Sequence, residues 1–201
     1  MIKKISALIC ACMLLGGCSI IPPPQQIKYY SFEVTPPVGL SVKPQLNSSI
    51  QVFKPNIVDA FSGQTFFAKL PNGQFIKSSE SRLLAPSNDI IGNIIINWFQ
   101  SVGPWKTVIS QESPVPGTYS MNVRITQLYL DILPGKKGEV HVAMSVQISN
   151  QNNMTLVLQK NVSSAKYIAE LNPENALAAY NKAIEECLME LTTAIQKKYS
   201  R

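Results

Sequence analysis

The stretch Gly138-Glu139-Val140-His141-Val142-Ala143-Met144-Ser145-Val146-Gln147-Ile148-Ser149 decides the fold class. Successive side chains of a strand point to opposite faces, so Val140, Val142, Met144, Val146 and Ile148 share one face, and His141, Ser145, Gln147 and Ser149 share the other. One face suits a core and the other suits water, which is the pattern of a half-buried antiparallel strand. Similar runs flank it, from about Thr118 to Ile132 and from Met154 to Ala165, joined through Pro134-Gly135-Lys136-Lys137 and Asn150 to Asn153. Three long strands separated by short turn-forming segments predict an antiparallel meander. In the first of them the apolar phase slips: Tyr119, Met121, Val123 and Ile125 are odd-numbered, whereas Leu128, Leu130 and Ile132 are even. A β-bulge, or burial on both faces, would produce that slip and bend the strand.

The apolar face of the meander needs a cover, and two segments with helical spacing supply it. After the meander come Asn172 as a cap, Pro173 at the first helical position and Glu174 in the first turn, then Leu177, Tyr180, Ile184, Leu188, Leu191 and Ile195 along one side. Lys197, Lys198 and Arg201 follow at the carboxyl end, where the helix dipole favours positive charge. Cys187 lies on the apolar stripe and reads as a small buried hydrophobe, since nothing nearby in sequence would depress its pKa. Ahead of the meander, Ser87 to Val102 is rich in β-branched isoleucine and contains Gly92, which argues against a helix. Spacing overrides composition there: positions 90, 91, 94, 95, 98 and 99 are all apolar, with Ser87 expected as the cap, Asp89 in the first turn and Gly103-Pro104 as the stop. The Ile, Trp98 and Phe99 stripe is expected to lie on the sheet, although a lipid-contacting face would be spelled in the same letters.

Further out, Ile27 to Val34 reads as a first strand stopped by Pro36-Pro37, Val38 to Ser48 as a loop, and Ser49 to Phe53 as a second strand. Thr65 to Leu70 and Gln74 to Ser78 form a predicted hairpin around Pro71-Asn72-Gly73, and Trp105 to Ser110 a further strand. The predicted class is α+β: a mostly antiparallel sheet, an amphipathic helix in the middle of the chain, and a C-terminal helix packed on it, in one domain over residues 27–201.

Residues 1–17 have a different character. Met1-Ile2-Lys3-Lys4, an apolar run from Ile5 to Leu15, and Gly16-Gly17-Cys18 follow the charged, hydrophobic and small-residue order of a secretory signal. The run is shorter than the roughly 20 apolar residues a spanning helix needs. Leu15-Gly16-Gly17-Cys18 resembles the bacterial lipobox, which implies cleavage between Gly17 and Cys18 and a diacylglycerol on the Cys18 sulfur. Ser19 at the next position, where aspartate would suggest inner-membrane retention, implies an outer-membrane destination facing the periplasm. Residues 18–26, with three prolines, two glutamines and no charge, read as an extended tether. Cleavage would remove Cys10 and Cys12, leaving Cys187 as a lone thiol with no intramolecular partner for a disulfide.

Composition narrows the chemistry. The chain has 18 Lys and Arg against 12 Asp and Glu, a net charge of +6 spread without clusters, which argues against nucleic-acid binding. With a single histidine, His141, His-rich metal sites are excluded and any Ser-His-Asp arrangement depends on that one residue. The chain holds no phosphate loop, Cys-x-x-Cys, His-Glu-x-x-His or Gly-x-Ser-x-Gly motif, and Glu33, Asp59, Glu112, Asp131 and Glu139 are scattered along it. No catalytic residue, cofactor or metal is therefore expected. The sequons at Asn47, Asn153 and Asn161 read as chance matches in a bacterial lipoprotein.

The lipobox at Cys18, the aromatic segment Lys28-Tyr29-Tyr30-Ser31-Phe32, the helix ending in Trp98-Phe99, the strand Tyr119-Ser120-Met121-Asn122-Val123 and the helix through Ala178-Ala179-Tyr180-Asn181-Lys182-Ala183-Ile184 occur in a familiar order. The sequence resembles the ABC-type transport auxiliary lipoproteins, the PqiC-like family. That resemblance implies a periplasmic domain anchored in the outer membrane through Cys18, with an MCE-domain protein of a lipid transporter as partner and homo-oligomerisation left open. Ser49 to Ser79, rich in Phe and Asn-Gly turns, departs from the family pattern. Two alternatives remain: a structural lipoprotein of another envelope machine, such as a secretion system or lipopolysaccharide assembly, and a lipid-tethered hydrolase that would depend on His141.

Overall fold

The computed structural model describes residues 26–37, 39–40 and 46–199. The expected signal segment (residues 1–17), Cys18 and all of the expected tether except Gln26 lie outside the described residues. In chain order the elements are β1 (Lys28–Tyr30), β2 (Leu46–Val52), β3 (Asn56–Ile57), a 3-10 turn at Asp59–Phe61, β4 (Thr65–Lys69), β5 (Phe75–Leu83), α1 (Ser87–Val102), β6 (Trp105–Ser110), β7 (Tyr119–Leu133), β8 (Lys137–Asn150), β9 (Thr155–Ile168) and α2 (Pro173–Tyr199).

The meander forms as its periodicity requires. β7 and β8 pair antiparallel from Tyr119↔Asn150 to Leu133↔Lys137, and β8 and β9 pair antiparallel from Gly138↔Ile168 to Asn150↔Thr155. Val140, Val142, Met144, Val146 and Ile148 are all buried. The slip in β7 is a bulge: the register shifts between Ile125 and Gln127, and the Thr126 hydroxyl donates to the Ala143 carbonyl at 3.3 Å. Met121, Val123 and Ile125 before the bulge and Leu128 after it consequently share one buried face.

The other edge of β7 is lined in turn by three short strands, all parallel to it: β2 at Ile50↔Tyr119, β3 at Asn56↔Arg124 and β4 at Ala68↔Leu130. A bulged strand bends and twists more strongly, so the chain running beside it is broken into pieces. The sheet forks as a result. Near the start of β7, β2 carries β6 in parallel, and near the end, β4 carries β5 antiparallel, which carries β1 in parallel. The nine-stranded sheet is therefore mixed, with its longest ladders antiparallel.

Both helices pack on one face. α1 lies against β6 and β2, α2 lies across β9 and β8, and the two meet where the Trp98 indole N–H donates to Thr192 Oγ1 at 2.9 Å in the buried core. Gly92 serves close approach, since a Cβ there would sit 3.0 Å from Pro55 Cδ, so the glycine lets the segment after β2 pack on α1. The far side of α2 is tied to β9 by Lys160–Glu190 at 2.7 Å and by Glu186, which accepts from Lys166 and from Ser164. The Lys166 hydrogen bond, with help from Ser164, holds the Glu186 carboxyl below its ordinary range. A depressed folded-state pKa contributes stability at neutral pH that is lost as pH falls through it, and at 42% side-chain exposure that contribution is small.

Some local expectations change. The first strand is Lys28–Tyr30 rather than Ile27 to Val34, because Phe32 turns inward onto Tyr180 and Phe66 and the Glu33 N–H donates to Asn181 Oδ1 at 3.0 Å. Packing on α2 thus replaces the ladder. β2 starts at Leu46, three residues before the predicted Ser49, since the Leu46 N–H finds the Pro104 carbonyl at 2.9 Å. Ser87 does not cap α1: Pro86 occupies that position, and the buried Ser87 hydroxyl faces the Phe61 carbonyl at 3.5 Å. Asn172 does cap α2, its Oδ1 accepting from the Asn175 N–H at 2.8 Å. The hairpin predicted around Pro71-Asn72-Gly73 forms between β4 and β5: the Gly73 N–H closes a turn on the Leu70 carbonyl, and Gly73 follows at a positive φ of 85° as a glycine bulge.

Candidate functional site

The inner face of the sheet is wider than two helices can cover. α1 takes the β2–β6 arm and α2 takes β8 and β9, which leaves the β4–β5–β1 arm partly open beside the first turns of α2. A cavity of about 330 Å³ lies there. Strand alternation builds its floor: Ala68 is paired with both Ile76 and Leu130, so these three side chains and their neighbours Phe66 and Ile132 face the helix side. Leu171, Ala176, Leu177 and Tyr180 of the α2 end form the opposite wall.

Aromatic rings close the base. Phe66 meets Tyr30, Phe32 and Tyr180 at centroid distances of 6.1, 6.2 and 5.9 Å, and Phe32 meets Tyr180 at 5.4 Å. Tyr180 is buried, and loss of solvent pushes its phenol above the ordinary range, so it remains neutral. Beside the phenols of Tyr30 and Tyr180, the polar lining residues are Ser78, Ser81 and Asn172, and no charged side chain lines the cavity. Ile76, at the mouth, is 38% exposed. Such a site can hold hydrocarbon and would penalise a charge.

The residues singled out from the sequence fall elsewhere. Gly17 and Cys18 lie outside the described residues. Glu33, Asp59 and Glu112 stay apart, but the hairpin register sets Asp131 opposite Glu139 and Tyr129 opposite His141 on the outer face of the sheet. His141 Nε2 lies 3.3 Å from Glu139 Oε2 and 3.4 Å from Asp131 Oδ2, and Lys69 Nζ lies 3.4 Å from the same Asp131 oxygen. The imidazole stacks on Tyr129 at 5.0 Å, and Tyr129 stacks on Phe61 at 5.6 Å. Two of the acids read as scattered are therefore brought together. The available signal was equidistance: 131 and 139, like 129 and 141, lie symmetrically about the turn at Gly135.

This cluster and the cavity are on opposite sides of the sheet, and none of Asp131, Glu139 or His141 lines the cavity. Among the described residues, no group of three or more His, Cys, Asp and Glu side chains is placed to hold a metal ion. His141→Ala is expected to leave cellular function intact and to cost at most about 1 kcal/mol, the scale of one aromatic contact. Chemical denaturation together with a complementation assay checks this; a null phenotype at normal protein levels would mean the cluster has a chemical role.

Cys187 is fully buried, with Sγ 3.7 Å from the Val142 carbonyl. Burial pushes its thiol up to about 12, with Glu190 and Glu186 adding to the effect. The native protein should fail to react with Ellman's reagent at pH 8 and should titrate fully in guanidinium; rapid native labelling would refute the buried thiol.

Among the described residues no helix is long and apolar enough to cross a membrane. No family model and no curated protein matches the sequence. The fold does have solved counterparts. Protein XCC0632 from Xanthomonas campestris, of family DUF330, superposes with a TM-score of 0.73 at 13% identity over 86% of this chain and 97% of that one. An uncharacterized protein superposes at 0.63 with 10% identity over 85% and 99%. A weaker likeness, at 0.47 with 10% identity over 81% and 95%, extends to a PelC dodecamer from Paraburkholderia phytofirmans. At 13% and 10% identity the first two likenesses show a shared fold and nothing finer.

Proposed function

We propose that this chain is a lipid-anchored protein of the bacterial outer membrane, facing the periplasm, that serves as a non-catalytic docking or accessory component of an MCE/ABC-type lipid transport system. The observation that carries the reading is the uncharged apolar cavity beside β1, the strand into which the tether from Cys18 leads. The lipobox and the PqiC-like order of elements support it from the sequence. Docking would use strand edges: β6 and β9 are each paired on one side only among the described strands, and exposed edges accept a partner's backbone. Ser49 to Ser79, the segment that departs most from the family pattern, supplies most of β2 through β5 and with them Phe66, Ala68 and Ile76 of the cavity floor.

The test is in-cell crosslinking of the tagged protein, followed by mild detergent extraction and mass spectrometry, with Cys18→Ser as the unanchored control. An MCE-domain protein recovered only with intact Cys18 is the expected result. Recovery of a secretion or lipopolysaccharide-assembly complex in its place, with lipid traffic unchanged on deletion, would transfer the protein to a different machine.

A further inference from the structure

We infer that the cavity between the β4–β5–β1 arm and the first turns of α2 is a binding site for an acyl chain of a membrane phospholipid. The inference rests on the lipid-anchored reading of Cys18 and deepens it by naming what the cavity takes. The lining decides the chemistry of the occupant. Phe66, Ala68, Ile76, Leu130, Ile132 and Leu177 present ring and hydrocarbon surface, with no Lys, Arg, Asp or Glu among the lining side chains, so the buried part of the ligand is apolar and uncharged. Water gains little there, because a bound water needs two to four polar partners. The shape narrows the choice further. A cavity of about 330 Å³ takes a hydrocarbon chain, whereas a docked helix is about 10–12 Å across with its side chains and needs a wider groove.

The tether indicates the source. Only seven residues, 19–25, separate Cys18 from Gln26, and at about 3.3–3.6 Å per residue the lipid on Cys18 stays within roughly 30 Å of Gln26. Two residues later Lys28 pairs with Ser81, and both Ser81 and Tyr30 line the cavity. The cavity therefore occupies the end of the domain that the anchor holds near the bilayer, where phospholipid acyl chains are the most concentrated apolar ligand. The Ile76 side chain at the mouth is the apolar surface such a chain would cover on entering.

The experiment uses the full lipidated protein reconstituted in liposomes of phosphatidylethanolamine and phosphatidylglycerol, with a diazirine on one acyl chain of the phosphatidylethanolamine. After illumination, label is expected on peptides from β4, β5 and the start of α2. Ala68→Phe, which puts a phenyl ring into the floor, is expected to cut that label at least about tenfold, since a misfit of a single methylene in an apolar pocket already costs that much. Ile76→Asp, at the exposed mouth, leaves the core intact and is expected to cut it as well, so the outcome does not depend on Ala68→Phe folding. Label spread over the surface, or groove label unchanged in both variants, would overturn the inference. Groove label seen only in unlipidated Cys18→Ser protein would also overturn it, since the protein's own acyl chain would then be the occupant. Groove label without recovery of an MCE-domain partner supports the site and removes the transport reading; partner recovery without groove label does the reverse.

Discussion

Replacing Trp98 by alanine is expected to destabilise the protein by about 4 kcal/mol, the scale of a buried Trp or Phe truncation, and to lower its thermal midpoint on the order of 10 °C. Trp98 is fully buried on α1 at the point where the two helices touch, among Phe99, Leu188 and Leu191 of the same core. The indole does two things there. Its ring fills volume that the backbone cannot collapse into, because the sheet fixes the spacing of both helices. Its N–H donates to Thr192 Oγ1, whose own hydroxyl hydrogen goes to the Leu188 carbonyl at 2.7 Å. The threonine keeps that second bond after the substitution, so most of the cost is the cavity. Trp98→Phe retains much of the volume and loses the N–H, and about 1–2 kcal/mol is expected from it. Thermal and urea denaturation of the two variants separate the contributions. A midpoint for Trp98→Ala within 3 °C of the parent would mean that α1 and α2 are not coupled through this contact.

Cys18→Ser is expected to have the largest effect on the protein's working location. A thioether to diacylglycerol requires the sulfur, and a serine in its place leaves the chain without lipid. Each buried methylene contributes about 0.8 kcal/mol to membrane residence, so two or three acyl chains hold a protein permanently where one holds it marginally. Sucrose-gradient fractionation should move the variant out of the outer-membrane band, and intact-mass analysis should show no diacylglycerol on any peptide. A variant still found in the outer-membrane band, or a parent protein whose Cys18 peptide carries no lipid, would remove the anchored reading and the acyl-chain inference with it. The folded domain should be unaffected by the change, since its core is drawn from residues at Phe32 and beyond.

Periodicity along the chain was enough to identify the α+β class, the meander, both helices and the phase slip in β7, which the structure resolves as a bulge rather than burial on both faces. These are local properties: an alternation of period two in Val140 to Ile148, a helical stripe from Ile90 to Phe99, and a one-residue slip between Ile125 and Leu128 are each written in consecutive letters. Capping was legible only in part. Asn172 acts as read, its Oδ1 accepting from the Asn175 N–H, whereas the Ser87 hydroxyl is turned to the Phe61 carbonyl and its N–H to the Gly63 carbonyl.

Which segments lie side by side was decided only in three dimensions. Residues 46–69 could not be assigned to the outer edge of β7 from their composition, because parallel pairing depends on where a distant strand bends. The forked sheet follows from that bend, and the open cavity follows from the fork, since two helices cannot cover both arms. The meeting of His141 with Asp131 and Glu139 has the same origin in hairpin register. Sequence by itself determined the two helices, the long strands and their order, and it sets the expectation of an anchor at Cys18, because spacing within an element is set by its own neighbours; β3 and the 3-10 turn were too short to show a period. Tertiary structure decided the strand order, the uncovered apolar face and the site proposed on it, because contacts between distant segments depend on how curvature and packing resolve across the whole sheet.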